Sequence, residues 1–383
     1  MWKTFRNLRR DERGMSFVFI GLGFMAFVAA STLAIDVGMF MTARSQAQTA
    51  ADAGALAGAT ALAFNDFDDR SVGGPAVQSA VNTALANSVI GAAPSTTPAD
   101  VSFPTGPTGN NRVKVDTYRT GARSNPIPTL IGPLFSVPTV DIQATATAEA
   151  SPANAMTCVK PFTIPDKWQE NKTPPWNSNT STFDRYDNKG NVVANPDVYI
   201  PAGQTGYTGY NPTRDKGTQL SIRAGNGANV APSMYFSWSM PSNTGGDDYR
   251  DNIANCNTTL VHFGDPEVQE PGNMEGPTTQ GIDDLIAKDP YAYWDTAKNE
   301  VHTSMSPSPR VFPIPLYDPD YYQSQKTNGR NATLRVANWI GFFVESRNGN
   351  NVIGRITPIL GVVDNNAGPA PTGTFPVAIR LVQ

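Results

Sequence analysis

Two cysteines, Cys158 and Cys256, and two histidines, His262 and His302, are the only thiols and imidazoles in this chain of 383 residues. A structural or catalytic metal needs more ligands than either pair supplies, and neither histidine sits in a His-Glu-x-x-His turn. The sequence contains no Gly-x-Ser-x-Gly elbow and no Gly-x-x-x-x-Gly-Lys-Ser/Thr phosphate loop. Gly225-Asn-Gly227 lacks the third glycine and the following helix of a dinucleotide site. Carboxylates gather at Asp247, Asp248 and Asp251, and again at Asp265, Glu267, Glu270 and Glu275. Hard oxygen ligands of this kind bind calcium, but neither run follows the EF-hand spacing, so both are expected to be solvated acidic loops. No enzymatic centre, cofactor or metal is expected, and the histidines read as structural.

The elements that carry these residues begin with an apolar run. Ser16–Ile35 is twenty consecutive residues without a charge, enough helix to cross about 30 Å of hydrocarbon. Lys3, Arg6, Arg9, Arg10 and Arg13 precede it, whereas the fifteen residues after Ile35 hold one basic residue, Arg44. This bias predicts a cytoplasmic segment at 1–15, a transmembrane helix at 16–35, and the rest of the chain across a bacterial inner membrane in the periplasm. A cleaved secretory signal also starts basic and apolar, but its core is roughly 7–15 residues long and ends at a small-x-small site. Here the helical pattern continues past the apolar run, so a retained anchor is expected.

Placement outside the cytoplasm settles what the thiols do. In an oxidising compartment a lone pair, Cys158 and Cys256, is expected to form a disulfide.

From Asp36 to Phe64 there is no proline and alanine dominates, which predicts one helix from about Ser16 to Ala63, roughly 70 Å long. Small residues fall on two adjacent ridges: Ala43, Ala47, Ala51, Ala55 and Ala59, and Ala50, Gly54 and Gly58. Such a face admits close backbone approach. It is expected to pack either on a partner or on the chain's own domain, centred on Ala47, Ala50, Ala51, Gly54, Ala55 and Gly58.

The strings RRDERGMSFVFIGLG and AIDVGMFMTARSQAQTAADAGALAGATAL resemble the N-terminal module of TadG-like proteins of the tight-adherence (Flp) pilus assembly system. The resemblance rests on the arginine-rich start, the Asp36-Val37-Gly38 exit, Arg44, Gln48 and the run from Ala50 to Ala59, and it covers residues 9–63. NVIGRITPILGVVD and FPVAIRLVQ resemble the ends of such chains. Two departures limit what is carried over. The fifth position after Gly14 is Phe19 where prepilins hold glutamate, so prepilin processing and incorporation in the pilus shaft are not expected. Asp69-Arg-Ser-Val-Gly73 lacks the second serine of a von Willebrand A metal site, so that domain is not expected either.

After an acidic connector at 65–74, apolar residues at Val77, Val81, Leu85 and Val89 predict a helix over Pro75–Ile90. Alternation at Val101–Phe103 and Arg112–Tyr118, a short helix at Thr129–Phe135 and a strand at Thr139–Glu149 complete a pilin-like α+β module ending near residue 152. Residues 153–383 are expected to form a β-rich domain. Its predicted strands lie at Val198–Ile200, Gln219–Arg223, Met234–Met240, Thr258–Phe263, Arg310–Ile314, Thr333–Ser346, Asn351–Val363 and Thr374–Val382, with one clear helix at Thr279–Lys288. The segment Glu275–Asp295, a helix followed by three close aromatics, fits either domain core or a partner-binding surface.

A net charge of −4 with 16% charged residues excludes a dense basic nucleic-acid surface. The fold class predicted is α+β: a long transmembrane helix extended into a pilin-like domain, then a β-rich domain. The resemblance implies a membrane-anchored component of Flp/Tad pilus assembly that contacts other pilus-assembly proteins. An anchored or released adhesive module and a periplasmic hydrolase are the competing classes.

Overall fold

The computed structural model describes residues 13–64, 69–106, 111–225, 229–240, 244–305, 307–325 and 333–382. Lys3, Arg6, Arg9 and Arg10, most of the basic segment 1–15, part of the acidic connector and the last two residues of Gly225-Asn-Gly227 lie outside the described residues. The chain is α+β and divides into two compact units.

The first unit is built on α1 (Arg13–Phe64), a single helix of 52 residues. From Ser16 to Ile35 its residues are exposed or at most half-buried. From Asp36 onward one stripe is buried, at Asp36, Ala43, Ala47, Ala50, Ala51, Ala55, Ala59 and Leu62. The three-to-four spacing is that of one helix face set against a core. Against this stripe lies α2 (Pro75–Ala86), which starts with proline at its first turn and buries Ala76, Val77, Ala80, Val81 and Ala84. It stops short of the predicted Ile90, because Ile90 adopts a left-handed backbone (φ 47°) and Val89 bridges to Ala92.

The sheet of this unit has β1 (Val101–Ser102), β2 (Arg112–Arg119) and β5 (Ile142–Pro152), in the order β1-β2-β5 and then β17 (Val377–Val382). β2 pairs antiparallel with β5 from Arg112↔Glu149 to Arg119↔Ile142. Its alternating burial turns Val113, Val115 and Thr117 inward, the period of two that the sequence carries. Between β2 and β5 stands a small hairpin of β3 (Ile127–Pro128) and β4 (Thr139–Val140), whose tip is the 3-10 turn Gly132–Phe135. The predicted short helix is that turn.

The second unit carries β6 (Ala155–Met156), β7 (Phe162–Pro165), a one-turn α3 (Pro212–Asp215), β8 (Gln219–Ala224) and β9 (Met234–Ser237). Next come α4 (Gly246–Ala254), β10 (Val261–His262), β11 (Pro266–Glu267), α5 (Glu275–Lys288), β12 (Tyr293–Asp295) and β13 (Glu300–His302). It continues with β14 (Val311–Tyr317), α6 (Pro319–Ser324), β15 (Leu334–Asn348) and β16 (Asn351–Thr357), and runs to Ile379 within β17, whose last residues belong to the first unit. Six strands close on themselves: β15-β14-β7-β9-β8-β16 and back to β15, with β11 added on the outside of β15. The barrel is mixed, since β7–β14 and β8–β9 run parallel and the other pairs antiparallel. Ile340, Phe342 and Val344 of β15 share one core with Phe312, Ile314 and Leu316 of β14, Leu220 and Ile222 of β8, and Ile282 and Leu285 of α5. Trp339, of opposite parity, enters a second cluster with Met156, Trp238 and Val261, and Val336 joins it because the register with β14 shifts between Asn338 and Val336. β15 is therefore buried on both faces. Val198–Ile200, predicted as a strand, is reduced to one bridge between Gln169 and Val198.

Long irregular segments are held by buried carboxylates rather than by strands. Asp166, fully enclosed, accepts from the hydroxyls of Tyr199 and Tyr207 at 3.1 and 2.9 Å and from the backbone N–H of Lys167 and Tyr210. Asp197 accepts three backbone N–H groups, from Asn171, Lys172 and Asp184. Each such acceptor replaces the backbone partners a strand would have supplied.

Candidate functional site

The small-residue face of α1 is occupied by its own unit. A Cβ on Gly54 would sit 3.0 Å from the Ala80 carbonyl oxygen and 3.1 Å from the Ala84 Cβ. One on Gly58 would sit 2.8 Å from a Val113 methyl and 3.0 Å from the Ala80 Cβ. Ala47, Ala50, Ala51 and Ala55 are buried beside them. These six residues let α2 and β2 approach the backbone of α1.

Polar side chains fix the same contact. Gln48 donates to Asp52 Oδ1 at 2.8 Å and to the Thr145 carbonyl at 3.1 Å. Gln46 accepts the Ile90 N–H at 2.7 Å, and the Thr117 hydroxyl donates to the Ala47 carbonyl at 3.2 Å. Asp36, only 3% exposed, ends the apolar run and takes two backbone donors, Leu130 N–H at 2.8 Å and Ile131 N–H at 3.0 Å. The sequence marks Asp36 as the first carboxylate after the apolar run, but it does not mark the acceptor role, because the donors lie 94 and 95 residues away. Arg44 and Thr60 face outward. Arg13 opens α1.

Cys158 and Cys256 form the disulfide, with Cα atoms 4.3 Å apart and a sequence separation of 98. The bond joins the segment before β7 to the segment after α4, and Cys158 N–H also reaches the Asn257 carbonyl at 2.8 Å. Closing a loop of this length is worth about 4.7 kcal/mol in the chain-entropy model, and measured disulfides commonly deliver about 2–4. Replacing both cysteines by alanine is expected to lower the unfolding free energy by about 2–4 kcal/mol, read from urea melts. An unchanged midpoint would show the bond to be idle.

The remaining residues of chemical interest are dispersed. His262 lies between Asp364 at 3.0 Å and Asp265 at 3.5 Å, while His302 stacks on Tyr293 with ring centroids 4.8 Å apart. Asp247 and Asp251 line a shallow cleft of about 500 Å³ shared with Arg250, Asp284 and Lys288. Arg250 there pairs with Asp284 at 2.8 Å. In the second acidic run the expectation of solvated loops fails for two residues. Glu270 is buried and accepts from the Ser239 hydroxyl and the Gly245 N–H. Glu267 is enclosed completely on β11, which pairs on the outside of β15. Burial pushes its carboxyl up to about 8, weakly opposed by the Thr163 hydroxyl, so it is neutral at pH 7. No group of three potential metal ligands occurs among the described residues. The aromatic segment divides: Trp294 is core, whereas Tyr291 and Tyr293 are exposed.

Residues 14–61 match the family model Tad, Flp pilus-assembly TadE/G-like. This stretch is α1 almost entire, so the chain carries a TadE/TadG-like module comprising the apolar helix and its alanine-rich continuation. No curated protein and no solved structure matches the chain.

Proposed function

We propose that this chain is a non-enzymatic, single-pass component of an Flp/Tad pilus-assembly machine in a bacterial inner membrane. The observation that carries the reading is the coincidence of the family match at 14–61 with a helix of two characters. Its apolar first part is unburied, as a membrane span is and a core helix is not; one face of its second part is packed against its own unit. In this reading residues 1–15 are cytoplasmic, 16–35 span the bilayer, 36–152 form a periplasmic helix extension with a pilin-like α+β module, and 153–383 form a β-rich periplasmic domain. The basic residues Lys3, Arg6, Arg9, Arg10 and Arg13 set this orientation, and the periplasmic parts act through protein-protein contacts.

Because Ala51 and Gly54 are enclosed, crosslinking probes belong on the outward face of α1, at Arg44, Thr49 and Thr60. Photo-crosslinkers there are expected to capture other pilus-assembly proteins in living cells, and the chain is expected to resist carbonate extraction from membranes. Release by carbonate, or no pilus-assembly protein captured from any of the three positions, would overturn the proposal.

A further inference from the structure

We propose that the β3–β4 hairpin is a second membrane element, an apolar finger that enters the leaflet nearest the folded units alongside α1. The inference rests on the reading of α1 as a membrane anchor, and its occupant is the acyl region of phospholipid.

Four observations converge. First, the hairpin has the composition of a membrane segment: between Arg123 and Asp141 there is no charged residue, and the tip reads Thr-Leu-Ile-Gly-Pro-Leu-Phe-Ser-Val-Pro from Thr129 to Pro138. Leu130 is 63% exposed and Val137 48%, so part of this apolar surface faces away from the protein.

Second, the tip lies beside the span. Leu130 and Ile131 line one apolar cleft of about 360 Å³ with Phe24, Met25, Val28, Ala29 and Thr32 of α1. Counting back from Asp36 at 1.5 Å per residue, these helix positions lie about 6–18 Å below it. If Ser16–Ile35 is in hydrocarbon, the cleft is in hydrocarbon too, and lipid is what fills it.

Third, five backbone N–H groups of the tip are paired within the protein, in keeping with the demand that non-helical chain must meet at membrane depth. Thr129 N–H donates to Pro138 O at 3.0 Å, Val137 N–H to Gly132 O at 2.8 Å and Ser136 N–H to Pro133 O at 3.2 Å. The Thr129 hydroxyl covers the Val137 carbonyl at 2.7 Å. Leu130 and Ile131 donate to Asp36, and prolines at 128, 133 and 138 have no N–H to satisfy.

Fourth, charge returns only at the neck. Arg123 pairs with Asp100 at 2.6 Å and lies over the Tyr118 ring, and Asp141 accepts Gly121 N–H at 2.7 Å. A polar collar above an apolar tip fixes how deep the finger goes.

The test uses the full chain, oxidised so that Cys158 and Cys256 remain paired, in phosphatidylcholine–phosphatidylglycerol vesicles. Single cysteines at Leu130, Val137, Met25 and Ser102 carry an environment-sensitive nitrobenzoxadiazole label. Vesicles contain phospholipid spin-labelled at acyl carbon 5 or 12, and iodide serves as the aqueous quencher. Labels at 130 and 137 are expected to be quenched at least twofold more by carbon-5 spin label than the label at exposed Ser102, and to be shielded from iodide. Iodide access at 130 and 137, with Met25 still quenched by lipid, overturns the finger and leaves the anchor intact. A Met25 label that lipid does not quench overturns the anchor reading and the finger with it.

Discussion

Gly58→Leu is expected to destabilise the first unit by about 3 kcal/mol or more, the upper range for overpacking a close-packed site. The nearest obstacles to a new Cβ are a methyl on a buried strand residue, Val113, at 2.8 Å, the Ala80 Cβ at 3.0 Å, and the Ala76 carbonyl oxygen at 3.2 Å. None is the end of a flexible chain. Against this stands helix propensity, which favours any ordinary residue over glycine by up to about 1 kcal/mol. The clash exceeds that gain at Gly58. At Gly38 nothing lies within 4 Å, so Gly38→Ala is expected to stabilise by about 0.5–1 kcal/mol. Opposite signs at two glycines of one helix, measured by chemical denaturation in detergent, would locate the packed part of α1. Tolerance of leucine at 58 would mean that the α1–α2 contact is absent in solution.

Removing the charge option at Glu267 is expected to change how stability depends on pH. Burial raises the folded carboxyl to about 8 from its ordinary 4.5. Below pH 4.5 both folded and unfolded chains hold the proton, and stability is at its full value. As pH rises from 4.5 to 8 the unfolded chain releases its proton while the folded chain keeps it, so stability falls. At about 1.36 kcal/mol per unit, the loss across this window is on the order of 4–5 kcal/mol. Glu267→Gln keeps the shape of the neutral acid and cannot ionise, so the variant should match the native chain near pH 4.5 and exceed it progressively up to pH 8. Asp166, raised to about 6 by burial, loses stability in the lower part of the same window. Lys160, lowered to about 7 by burial, acts oppositely, since its neutral folded form gains relative stability above pH 7. Both contributions are common to the two proteins and cancel in the difference. Parallel pH profiles for the two would show that Glu267 is solvated.

The parts that the sequence made legible are those whose signal is local. Twenty uncharged residues and an unbroken alanine pattern define α1, and strict alternation defines β2. Alternation fails for β15, where Val336 and Trp339 serve one cluster and Ile340 and Phe342 another. A strand buried on both sides reads only as a continuous apolar run. Closure of the barrel was not readable at all. It depends on β7, four residues long, meeting β14 in parallel through Ile164 and Leu316, some 150 positions apart. The carboxylates show the same limit. Asp166, Asp197 and Glu267 sit in polar, turn-rich sequence that looks like solvated loop, and only the folded backbone reveals which of them accept buried donors. At the candidate site the small residues were readable from spacing, and their neighbours α2 and β2 were not. Asp36 was readable as a boundary, and its grip on Leu130 and Ile131 was not.

Glu149 adds a matter of timing. Its carboxylate, 1% exposed, takes Arg112 at 2.6 Å from the neighbouring strand and Arg380 at 3.5 Å from the last strand of the chain. Translation makes Arg112 and Glu149 more than 200 residues before Arg380. Until then β5 presents an unpaired edge, the kind of surface on which another strand can pair. A product stalled before Arg380 would keep that edge open, so the first unit's sheet is completed only after β6 to β16 have been made.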